Sequence, residues 1–199
     1  MADKNMILSA DAEEKLLKPI DEYVGKIQAQ IDELRVDGSD KVRSLKNHIA
    51  IAKEDKNLSK EEKDSIIAKD KAALEKAKAV EAANKDKVAK LIADAEGYLK
   101  EHYDSEYYSK VVASCETEKA AENESYERVK ATLKTEHEQT LAKLSDPEEI
   151  KDEKYVYKNK LFDAQMTHES RLQEIKDRKH DAFSHKYHLI DLLRMSKYT

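Results

Sequence analysis

The chain has 199 residues, of which 40% are charged, with only three glycines, two prolines and one cysteine. A globular domain that turns often carries about 7% Gly and 5% Pro; this chain can turn only rarely, and a strand-rich fold is excluded because its common residues (Ala, Lys, Glu, Leu) are strong helix formers. Its 37 basic and 42 acidic residues nearly cancel, to a net charge of −5, so self-repulsion does not enforce disorder, and the lone Cys115 rules out an intramolecular disulfide.

The apolar residues are sparse but periodic, which favours ordered helix with a thin core. In the first arm, 10–56, Leu17, Ile20, Val24, Ile27, Ile31 and Leu34 follow the 3-4-3-4-3 spacing of a coiled-coil seam. Asp11 is the expected N-cap, with Glu14 as its partner. Pro19 lies inside the run, so the helix is expected to kink or to start late. Asp37-Gly38-Ser39-Asp40 interrupts, and Val42, Leu45, Ile49 and Ala52 resume in a shifted phase, read as a slip or short break.

Ser59 and Glu62 form a Ser-x-x-Glu capping box and open the second arm, 60–103. Its stripe runs through Ile67, Leu74, Ala77, Val88, Leu91, Ala95 and Tyr98, and Asp70, Glu81 and Asn84 interrupt it with polar groups. His102-Tyr103-Asp104-Ser105 is taken as the next boundary, although it lacks Gly and Pro. The third arm, 105–144, carries Tyr108, Val111, Cys115, Glu122, Tyr126, Val129, Leu133 and Leu144 at heptad spacing. Asp146-Pro147-Glu148-Glu149 places Asp at N-cap and Pro at N1 of the last arm, 147–197, which continues through Ile150, Tyr157, Leu161, Ala164, Ile175, Ala182, Leu189 and Leu193. Four arms of roughly 40–50 residues, about 60–75 Å each at 1.5 Å per residue, predict an all-α, elongated antiparallel coiled coil or long-helix bundle forming a single domain over 1–199. No strict tandem repeat is visible.

Catalytic constellations are missing. Asp181, His185 and His188 share one helical face, with His180 nearby, but they are too few to hold a cation beside Arg178, Lys179 and Lys186. None of the seven histidines follows a Glu at three residues, as di-metal bundle sites require. Cys115, flanked by Val111 and Val112, reads as a small seam residue without a base or orienting group. No two glycines are closer than thirteen residues, so no phosphate-cradling loop exists. The expectation is a non-enzyme with no cofactor, no metal and no nucleic-acid partner. Among the ten tyrosines, Tyr103, Tyr107 and Tyr108, and Tyr155 and Tyr157, are expected to fill the ends of the bundle. No signal-peptide pattern follows Met1 to Asn5, and no stretch is apolar and long enough to span a bilayer, which points to the cytoplasm.

The C-terminal end differs. From Arg171 to Thr199 there are seven Lys/Arg and four Asp/Glu on an otherwise acidic chain, and its apolar residues are dense. Phe183, Tyr187, Leu189, Ile190, Leu192, Leu193 and Met195 form a candidate docking surface, because a thin seam cannot bury them all. The stretch from His185 to Thr199 resembles the cytoplasmic lead-in before the first membrane helix of sugar ABC transporter permeases from Gram-positive bacteria. That resemblance implies a soluble coiled-coil extension of a transport protein, at the inner face of the membrane. The residues alone imply a cytoplasmic helical scaffold that binds a protein partner or a second copy of itself.

Overall fold

Local signals set the helix starts. The Ser59 hydroxyl accepts from the Glu62 amide at 3.3 Å and the Glu62 carboxylate accepts from the Ser59 amide at 2.9 Å, closing the expected capping box. Asp146 accepts from the Glu148 amide at 3.0 Å, ahead of Pro147 in the first turn of its helix. The first helix is capped by Ser9 instead of Asp11: its hydroxyl lies 3.3 Å from the Ala12 amide. Asp11 stands inside the first turn, where its charge suits the positive end of the helix dipole.

The computed structural model describes residues 7–195, and 93% of these are helical, with no strand among them. The elements are α1 (Ala10–Arg35), π-helical turns at Val36–Asp40, α2 (Lys41–Glu54), α3 (Lys60–Tyr98), further π-helical turns at Leu99–Tyr108, α4 (Ser109–Leu141) and α5 (Pro147–Met195). The all-α class is as read from sequence. α1 starts at Ala10 and runs on through Pro19. Positions 196 and 197 of the last predicted arm, and the residues at Met1 to Asn5, lie outside the described residues.

Two expected interruptions are continuous helix. At Val36–Asp40 the phase shift is taken up by π turns, which insert an extra residue without breaking the helix. The boundary expected at 103–105 falls inside the second π-helical segment, so the arms 60–103 and 105–144 follow one another without a coil residue. Three long helical stretches therefore replace four arms. The spacing explains the second segment. Ala95, Leu99, Tyr103, Tyr107, Val111 and Cys115 are all buried and recur every fourth residue. That interval drifts about 40° per step on an ordinary α-helix, and i→i+5 turns unwind the drift. Ser109 donates its hydroxyl to the Ser105 carbonyl within this region. Tyr103 and Tyr107 are thus core residues.

The described residues form two compact units, one of residues 15–104 with 186–195 and one of residues 7–14 with 105–185. In the first, α1 and α2 run antiparallel to α3. Tyr23 stacks on Tyr98 with ring centroids 3.9 Å apart, and His48 meets Asp70 at 2.6 Å. The polar residues that interrupt the α3 stripe are each paired across the seam. Asp70 accepts from His48, Glu81 accepts from Ser39 at 3.1 Å, and Asn84 donates to the Leu34 carbonyl at 2.9 Å. The end of α5 joins this unit through Lys186 to Asp104 and Arg194 to Glu96, at 2.7 and 2.6 Å.

In the second unit α4 and α5 are antiparallel partners, joined through the turn at 142–146. Their inward positions do not keep the expected heptad. Glu122, Tyr126, Lys130, Leu133, His137 and Leu141 are half-buried, at 4-4-3-4-4 spacing, and Val129, expected on the seam, is 43% exposed. A 4-4-3 pattern repeats every eleven residues, or 3.67 per turn, so this pair has no cause to coil left-handed as heptads do.

Gly38 marks a close approach between helices in the first unit. A Cβ there would stand 3.2 Å from the Glu81 Cα, whereas Gly25 and Gly97 have nothing within 4 Å. Gly38→Ala is expected to destabilise by about 1–3 kcal/mol because backbone must move. Gly25→Ala is expected to stabilise by roughly 0.5–1 kcal/mol through helix propensity alone. Urea unfolding of the two variants checks the opposite signs.

Candidate functional site

The C-terminal docking residues separate into two groups. Leu189 and Leu193 are buried in the unit that contains α3, and Ile190 is half-buried. Tyr187, Leu192 and Met195 are exposed, Met195 at 69%. At 100° per residue, Leu189 and Leu193 share the inward face while Tyr187 and Met195 point away from it. In the other unit Phe183 is partly exposed, with its ring 6.2 Å from that of Tyr108. Of the seven residues, Leu189 and Leu193 complete a core, Ile190 is half-buried, and Phe183, Tyr187, Leu192 and Met195 are exposed.

Sequence reasoning missed a polar cluster that centres on Arg178. Its guanidinium grips the Glu118 carboxylate in bidentate fashion, Nη2 to Oε1 at 2.5 Å and Nη1 to Oε2 at 3.0 Å. The same Nη2 lies 3.3 Å from the Ser114 hydroxyl and 3.5 Å from the Cys115 sulfur. Nε faces Glu13 at 3.4 Å. Ser114, fully buried, also accepts from the Leu8 amide at 2.9 Å and donates to Glu118 at 2.9 Å. The start of α1 is thereby pinned onto α4 and α5. Hydrogen bonding to Glu118 pushes Arg178 above its ordinary value, whereas burial pushes the Glu13 carboxyl up, only partly offset by Arg178. Only the i, i+4 relation of Ser114 and Glu118 was visible in the sequence, and it gave no hint of an arginine sixty residues on.

Further along the α4–α5 pair, two histidines make matching contacts. His137 donates Nδ1–H to Glu153 at 2.9 Å and stacks on Tyr157, with centroids 4.1 Å apart and planes 5° apart. His168 donates to Glu122 at 3.1 Å and stacks on Tyr126 at 4.2 Å, again 5° from parallel. Only 13% and 12% of the two imidazole side chains remain exposed, so both groups face the seam.

Chemically these clusters hold helices together. Cys115 is buried, with the Arg178 cation beside it. No group of three metal-ligating side chains is present among the described residues. Asp181 and His188 are exposed and His185 is half-buried. No described helix is long and apolar enough to cross a membrane.

Such features define a class, an all-α domain of long helices paired through polar as well as apolar contacts. A family model described as the N-terminal domain of the ABC transporter permease MglC matches residues 9–199, and the chain belongs to that family. The resemblance read from His185 to Thr199 thus extends over nearly the whole chain at the level of a permease N-terminal domain. No curated protein and no solved structure matches it.

Two outcomes follow from this geometry. Leu193→Ala is expected to cost about 2–4 kcal/mol, since the side chain is fully buried, and Met195→Ala less than about 0.5 kcal/mol; thermal unfolding compares them. Glu13 supplies a pH test. A carboxyl raised on folding favours the folded state most while protonated, and that contribution is lost as pH rises through its folded value. Between about pH 4 and pH 7 the Glu13→Gln variant should therefore gain stability relative to the native chain. A constant difference across that range would contradict the burial of Glu13.

Proposed function

We propose that the chain is the extramembranous helical extension of a sugar ABC transporter permease, held at the cytoplasmic face of the membrane and acting without catalysis as a protein-interaction platform. The family match over residues 9–199 carries this reading. The exposed Leu192 and Met195 support an interaction role for the end of α5, because they present apolar surface to solvent beside the buried Leu189 and Leu193. The extension binds another part of the transporter through these residues, with a second copy of itself as the competing partner.

Protease access in membrane vesicles bearing the full-length gene product tests the placement. Cleavage within this segment in inverted vesicles, with protection in right-side-out ones, is expected; the reverse pattern would contradict it. In the same membranes, Leu192→Asp with Met195→Asp should reduce cross-linking to the other transporter subunits while the melting of the isolated chain stays unchanged. Undiminished cross-linking would remove the end of α5 from the interface.

A further inference from the structure

The two histidine contacts are related by more than likeness. Glu122, Tyr126, His137, Glu138 and Leu141 recur 31 residues later as Glu153, Tyr157, His168, Glu169 and Leu172. The half-buried positions repeat with the same offset: Glu122, Tyr126, Lys130, Leu133, His137 and Leu141 on α4, and Glu153, Tyr157, Leu161, Ala164, His168 and Leu172 on α5. Between 122 and 141, and between 153 and 172, every other position is exposed except Thr140.

The contacts obey a two-fold relation. The histidine of the first segment meets the Glu and Tyr of the second, and the histidine of the second meets the Glu and Tyr of the first. A segment that pairs antiparallel with its own likeness is self-complementary, as in an isologous interface. The outward faces have diverged. Tyr155, Phe162 and Met166 stand where α4 has Glu124, Ala131 and Thr135, so what the segments share lies mainly on the face that pairs.

The pair needs something to fix its alignment. From Glu116 to Asp181 no residue is fully buried, so apolar burial discriminates poorly between one helical register and the next. Sliding α5 along α4 by one turn, about 5.4 Å, would part both imidazoles from their rings and carboxylates at once. We infer that residues 122–141 and 153–172 are two copies of one self-complementary helical segment, and that their two Glu–Tyr–His triads form a register lock for the α4–α5 hairpin.

The full chain, with Cys115→Ser and spin labels at the exposed positions 135 and 155, tests this by dipolar distance measurement. The native triads should give a single narrow distance. The His137→Ala/His168→Ala double variant should keep its helicity but add a population displaced by about one helical turn. An unchanged single distance in that variant would show that the triads add stability without setting register, and would overturn the lock. Should helicity be lost in it, the His137→Gln/His168→Gln variant, which keeps a polar side chain in the seam without the ring stacking, should show the same displaced population, and an unchanged single distance there would overturn the lock. The duplication is tested by a second chain, in which residues 122–141 and 153–172 are exchanged. Both triads survive that exchange, so the label distance and melting should match the native chain; a frayed or shifted hairpin would overturn the duplication.

Discussion

Two helices lying side by side offer only a narrow seam, and this chain fills much of that seam with polar groups. A buried polar group without a partner costs about 1–3 kcal/mol, so every inward Asp, Asn, Glu, His or Arg must meet its complement on the facing helix. The requirement acts as an alignment rule. Asp70 is tolerable because His48 arrives opposite it, Asn84 because the Leu34 carbonyl does, and Glu118 because Arg178 does. Apolar burial supplies cohesion around Ile31, Leu99, Tyr103 and Val111, and the polar pairs decide which alignments are allowed.

That division explains what could be read from the sequence. The caps at Ser59 and Asp146 are local, and so is the apolar seam of Ile20, Val24, Ile27 and Ile31; all were legible. The tyrosine segment was not, because burial every fourth residue from Ala95 to Cys115 fits neither a 3-4 seam nor a turn until π-helical geometry is admitted. Val129 falls off the seam for a related reason: the inward positions there follow an eleven-residue pattern in place of the heptad. Asp70, Glu81 and Asn84 looked like flaws in a stripe because their partners come from a helix 22 to 50 residues away.

The duplicated segment is the instructive miss. Its signal, Glu-x-x-x-Tyr followed by His-Glu at a fixed distance, stood in the sequence twice. A search for repeats by apolar pattern passes over it, since the shared inward residues are mostly polar. For the candidate docking end the reverse holds. Density of apolar residues was visible, but only the packing distinguishes Leu189 and Leu193, which are core, from Tyr187, Leu192 and Met195 on the surface. The chain belongs to a permease family and is built from helix pairs pinned by polar groups.

The claim that cross-helix polar pairs specify the alignment is tested most directly by a double-mutant cycle on Glu122 and His168. Each side chain is replaced by Ala singly and together, and unfolding free energies are measured at neutral pH. The account requires the two effects to be non-additive, with a coupling of about 0.5–1.5 kcal/mol in favour of the native pair. Effects that sum to within about 0.3 kcal/mol would mean that the two groups contribute independently, and would contradict it.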